Sequence, residues 1–101
     1  MNSFDPQALQ LCFERFCVLQ QQLATAQTLW QESETILQQL KRYYHSTQWL
    51  EDFERQDLKL HYSGEAHSIL SEDALYNAIY EHYVQAKQWI RLGLNAIDAE
   101  D

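Results

Sequence analysis

Between Pro6 and about Tyr44 the sequence contains no glycine and no further proline, and Gln, Leu, Ala and Glu dominate the stretch. These residues lose little on entering a helix, so a single long helix over about 6–44 is the expectation. Asp5 stands as its N-cap and Pro6 in the first helical position, where a missing amide is no loss. Phe4 and Leu9 are spaced for a hydrophobic staple across that cap, and Lys41 and Arg42 suit the negative pole at the far end.

That helix sets the fold class. A chain of 101 residues has material for one domain and not two, and 2 glycines and 1 proline are too few turn formers for a sandwich or barrel. A single all-α domain over residues 1–101 follows. Steps of seven from Leu9 reach Phe16, Leu23, Trp30, Leu37 and Tyr44, and the positions three later hold Cys12, Leu19, Ala26, Ser33 and Leu40. The two rows read as the a and d positions of a coiled-coil-like helix. Phe13, Leu29, Ile36 and Tyr43 widen the stripe beyond what one partner helix covers.

His45 and Ser46 interrupt the pattern, and Ser46 is placed to cap a short helix over about 47–56, with Trp49, Leu50 and Phe53 on one side. Residues 57–70, with Ser63 and Gly64 and no sustained period, read as a loop longer than a compact helical domain ordinarily needs. Ser71 is the expected cap of a third helix, with Glu72 and Asp73 in its first turn and Leu70 and Leu75 set for a second staple. This helix runs from about 72 to 92 or 98, depending on whether Gly93 ends it in a left-handed conformation. Tyr76, Tyr83, Ile90 and Ile97 recur at intervals of seven, with Ile79, Ala86 and Gly93 as the companion row.

Helix lengths carry the argument to assembly. At about 1.5 Å per residue the first helix spans roughly 58 Å and the third roughly 33 to 40 Å. Folded back as an antiparallel hairpin, the third helix leaves Leu9, Cys12, Phe13 and Phe16 uncovered. Leaving such side chains in water forfeits roughly 1.5 to 3 kcal/mol for each large one, so a second copy of the chain is expected to cover them.

Fifteen acidic against seven basic residues give a formal charge of -8, which repels a nucleic-acid backbone. The acids concentrate in residues 46–73, which hold Glu51, Asp52, Glu54, Asp57, Glu65, Glu72 and Asp73. Such a block is ordinarily a solvated face. The opening MNSFDPQALQ carries no signal-peptide pattern and no run of eighteen apolar residues occurs, which reads as a soluble cytoplasmic protein with no membrane contact. Cys12 and Cys17 lie about 140° apart around one helix and cannot bridge within it, consistent with reduced thiols.

YYHSTQWLEDFE at residues 43–54 and LSEDALYN at residues 70–77, after a long N-terminal helix, resemble a bacterial family of small proteins, the domain of unknown function 4298 family. The resemblance covers about residues 20–92. It implies a small helical bacterial protein and brings no activity, ligand or catalytic residue with it. Where the family carries a Gly- and Pro-containing segment with a Lys-Arg-Gly run, this chain reads KLHYSGEAHSI, so the resemblance implies no basic site there. Read from the residues, Tyr43, Tyr44, Trp49, Leu50 and Phe53 have a sufficient structural reason as the packed corner where the long helix ends.

The chemistry-bearing residues form no recognised set. His61, Glu65, His67 and Asp73 mix imidazole and carboxylate as zinc accepts, but at a spacing with no fixed geometry, and exposed loop histidines are the ordinary explanation. His82 reads as a partly covered surface residue. Cys12 falls in the apolar seam, where burial makes a thiol inert, and Glu81 and His82 point in different directions on a helix. No phosphate-binding Gly-rich loop, CxxC pair or GxSxG elbow is present, and no cofactor is expected. Tyr76, Tyr80 and Tyr83, flanked by Trp89, form a stripe that reads either as core with its hydroxyls at the rim or as a protein-binding surface.

The sequence therefore reads as a long and a shorter helix in an antiparallel coiled-coil-like hairpin, with one short helix in the connector. The function expected is a non-catalytic protein-protein interaction module, homodimeric through Leu9, Cys12, Phe13 and Phe16, with Asp52, Tyr76, Asn77, Tyr80 and Trp89 as a surface for a protein partner. The alternative is a ligand-binding or metal-binding protein or an enzyme, with its site at the corner formed by residues 43–54 and 67–77.

Overall fold

Three helices organise the chain in a computed structural model that describes residues 3–99: α1 (Pro6–Tyr44), α2 (Thr47–Glu54) and α3 (Ala74–Asp98). No strand occurs among the described residues. The chain divides into two units, residues 1–36 and residues 37–101, with the boundary inside α1.

The first unit is the greater part of α1. Asp5 caps it: its Oδ1 accepts the Gln7 amide at 3.1 Å and its carbonyl accepts the Leu9 amide at 3.0 Å. The Gln7 amide, orphaned at a helix start, is thereby satisfied, and the Leu9 bond is the first of the regular helical series. The staple expected beside the cap is not formed, because Phe4 remains 74% exposed. Thr25 and Thr35 are kept compatible with the helix by donating their hydroxyls to the carbonyls of Gln21 and Gln31, one turn back.

The second unit holds the end of α1, α2, the long connection and α3. Ser46 takes the extended backbone of an N-cap, but its side chain makes no cap bond to α2. Its hydroxyl instead donates to the Tyr43 carbonyl at 2.6 Å, the acceptor that also takes the Ser46 amide at 3.0 Å. α2 stops at Glu54, two residues before the expected end, where Arg55 pairs with Asp57 through Nε and Nη2, both at 3.2 Å. Within residues 55–73, Gly64 sits at φ 85°, a backbone conformation that disfavours any residue with a Cβ.

The start of α3 also departs from the expectation. Ser71 does not cap it: the Ser71 amide donates to the Ser68 carbonyl at 3.0 Å, and the Leu70 amide to the Ser68 hydroxyl at 3.1 Å. Residues 68–71 thus form a turn, Asp73 occupies the N-cap position without a side-chain bond, and Glu72 and Asp73 precede the helix instead of filling its first turn. At the other end Gly93 is interior, and α3 continues to Asp98.

The packing register of α3 is the main correction. Ala74, Leu75, Ala78, Ile79, His82 and Ala86 are its buried or half-buried positions, while Tyr76, Tyr83, Ile90 and Ile97, the row spaced by seven, are exposed. The helix carries two apolar rows about 100° apart, and the row with the smaller side chains, which permits closer approach, is the covered one. Among the described residues only Leu37 at 6% and Leu75 at 3% exposure are fully buried.

The consequence is a large residual surface. The chain exposes 9063 Å². Much of it is apolar: Leu9, Phe13 and Phe16 on α1 and Tyr76, Tyr80, Tyr83, Ile90 and Ile97 on α3 are each at least half exposed.

Candidate functional site

The corner where α1 gives way to α2 is built from the motif at residues 43–54. Tyr43, in the last turn of α1, donates its hydroxyl to Oδ2 of Asp52 on α2 at 2.7 Å, and Gln48 Nε2 donates to the same oxygen at 3.3 Å. Partial burial first, and the bond to Asp52 second, push the Tyr43 phenol up to about 12. Next to it the rings of Tyr44 and Trp49 meet edge to face at 5.0 Å, and Trp49 stacks on Phe53 at 5.3 Å. The Trp49 indole N–H reaches across the connection to the Ile69 carbonyl at 2.9 Å. This single bond ties α2 to the segment leading into α3.

Tyr43 and Asp52 pair with each other at this corner. A phenol that loses its proton only near 12 is a neutral donor at ordinary pH, and Asp52, already accepting two hydrogen bonds, is positioned as its acceptor. Asp73 and Asn77 are both exposed and joined by a backbone bond from the Asn77 amide to the Asp73 carbonyl at 2.8 Å. Among the described residues no group of three or more His, Cys, Asp or Glu is placed to hold a metal ion. His61, Glu65, His67 and Asp73 are thus exposed residues that the fold does not gather. Asp57, beside Arg55, has its carboxyl held below the usual carboxylate range by the hydrogen bond from that guanidinium. Both partners are in water, where such pairs contribute little stability.

What distinguishes the chain lies along the helices. On α1, Leu9, Phe13 and Phe16 are 50 to 59% exposed, and Cys12 is also exposed, not buried among Leu and Phe as its place in the seam suggested. From Phe16 to Gln31 there is no charged residue on any side of the helix. A solvated helix face ordinarily carries charge, and depletion of charge marks the centre of protein interfaces. On α3 the outward row runs Tyr76, Tyr80, Tyr83, Lys87, Ile90, Leu94, Ile97, with steps alternating between four and three. Its apolar members are 53 to 70% exposed, and Lys87 Nζ lies 4.7 Å over the Tyr83 ring. Trp89, grouped with these tyrosines from the sequence, is less exposed at 41% and engaged in an interaction of its own. The continuity of this row through Leu94 and Ile97 was hidden while the end of α3 was open.

The fold and its exposed surfaces define a class: an all-helical chain with little core of its own and long apolar rows on two helices. The family model of the domain of unknown function DUF4298 matches residues 7–92, and the chain belongs to that family. No curated protein and no solved structure matches it. Among the described residues no helix is long and apolar enough to cross a membrane.

Proposed function

We propose that the protein is a non-catalytic helical interaction module that acts as a homodimer, with α1 and α3 in an antiparallel, coiled-coil-like hairpin and the N-terminal part of α1 in the contact between copies. One observation supports this above the others: Leu9, Phe13 and Phe16 on α1 are 50 to 59% exposed, and among the described residues only Leu37 and Leu75 are fully buried. A second copy supplies further burial, and a stable dimer interface removes about 800 Å² or more from each partner.

The contact is assigned to Leu9, Cys12, Phe13 and Phe16 because these residues are exposed and the helix from Phe16 to Gln31 is free of charge. Asp52 and Asn77, offered as part of a surface for a different protein, draw less support, since Asp52 is taken by Tyr43 and Gln48. No observation favours a catalytic or ligand site at the corner. Sedimentation of the wild-type chain beside Phe13→Asp and Phe16→Asp tests the reading: the wild type should sediment as a dimer and the variants as monomers. Sedimentation of the wild type as a monomer at micromolar concentration removes it.

A further inference from the structure

We infer that the outward row of α3, Tyr76, Tyr80, Tyr83, Ile90, Leu94 and Ile97, is the other half of the dimer contact and lies against α1 of the second copy. The inference rests on the homodimer proposed above and assigns the surface that its α1 meets.

Area requires a second surface. Leu9, Cys12, Phe13 and Phe16, about half exposed, offer roughly 350 Å² together if an aromatic side chain presents about 200 Å² in full. A stable specific interface takes about 800 Å² from each partner. The six apolar residues of the α3 row, 53 to 70% exposed, add roughly 650 Å² on the same scale. The four α1 residues fall short of what a stable dimer removes from water, and with the α3 row they reach it.

Length and register agree. From Tyr76 to Ile97 the row extends about 32 Å along α3, and the exposed apolar part of α1 from Leu9 to Leu29 extends about 30 Å, at about 1.5 Å per residue. Steps of four and three along α3 are the spacing by which one helix seats its side chains into another. A two-fold axis then builds the contact twice, α3 of each copy against α1 of the other.

Charge selects α1 over a second α3 as the surface met. Lys87 sits at the middle of the α3 row, so two such rows paired antiparallel about their centres bring Lys87 against its own copy in an apolar seam. Arg91, on the flank, adds to that repulsion. On α1 the residues from Phe16 to Gln31 carry no charge, and Gln20, Gln21 and Gln22 offer side-chain carbonyls that an ammonium can use. The Tyr83 ring under Lys87 already gives that ammonium part of its shelter.

The exposed thiol on α1 makes the test direct. One full-length chain keeps Cys12 and carries Cys17→Ser. A second, of different tag length, carries Cys12→Ser and Cys17→Ser with a new cysteine through either Tyr80→Cys or Leu94→Cys, one near each end of the row. The chains are mixed as unfolded protein, refolded together and mildly oxidised. The inference predicts a disulfide between unlike chains from one of the two α3 positions, the choice reporting helix direction. Dimers by sedimentation that cross-link only α3 to α3 or Cys12 to Cys12, or at neither α3 position, overturn the inference and leave the homodimer standing. Monomers throughout overturn both. Ile90→Glu, at a side chain 69% exposed in the single chain, guards against failure of the cysteine variants to fold. It should weaken the dimer roughly a hundredfold by stranding a charge in the contact, with helicity at high protein concentration retained. An unchanged dimer affinity in that variant also overturns the inference.

Discussion

Replacing Tyr43 with Phe removes one hydroxyl and leaves the ring. The hydroxyl donates to Asp52 at 2.7 Å in a half-buried setting, a bond to a charged acceptor that also receives Gln48. Hydrogen bonds to charged groups contribute about 1.5 to 3 kcal/mol when well buried, and partial exposure here reduces the expectation to about 1 to 2 kcal/mol. In a chain of this size that lowers the melting temperature by roughly 5 to 10 °C. The sign of the pH dependence follows from the phenol. Its folded value is raised from 10.0 to about 12 by partial burial and by Asp52, so the protonated form is the one the fold favours. The contribution is complete below pH 10 and disappears as the pH rises toward about 12. Urea melts of wild type and Tyr43→Phe at one protein concentration, followed by circular dichroism from pH 7 to above pH 10, isolate the difference from other titrating tyrosines. A difference below about 0.3 kcal/mol at pH 7, far under the range for such a bond, refutes the reasoning, as does one that stays constant above pH 10.

Two further substitutions probe separate parts of the fold. Trp49→Phe keeps an aromatic ring on Phe53 but loses the donor to the Ile69 carbonyl; urea melts should show a loss of about 0.5 to 1.5 kcal/mol, with faster amide exchange at Leu70 and Ser71. Gly93→Ala adds a Cβ that meets nothing within 4 Å in the interior of α3, so melts should show a gain of about 0.5 to 1 kcal/mol, and a loss would place another backbone against that position in the assembled protein.

The ends of α1 were legible because local chemistry decides them: Asp5 and Pro6 start it, and no residue before Tyr44 opposes it. The start of α3 was not, because the serine hydroxyl that holds a nearby amide belongs to Ser68, which closes a turn with Leu70 and Ser71 before the helix begins. Only the three-dimensional path of residues 55–73 distinguishes the two uses of serine. The covered row of α3 was misread for a different reason. Ile79 and Ala86 were seen as a companion row, but the larger Tyr76, Tyr83, Ile90 and Ile97 dominated the period, and periodicity cannot say which of two adjacent rows faces inward. At the corner, the aromatic residues were read correctly as neighbours, whereas the bond from Tyr43 to Asp52 joins residues nine apart across a helix break and needed coordinates. The exposed α3 row became meaningful only once Gly93 was placed inside the helix, since Leu94 and Ile97 then extend it.

Each of these readings converges on a chain that cannot shield its own apolar rows. Sedimentation equilibrium of the wild-type protein at micromolar concentration is the direct measurement. The account predicts a mass twice the 12.0 kDa of one chain. A well-folded species at 12.0 kDa would contradict it.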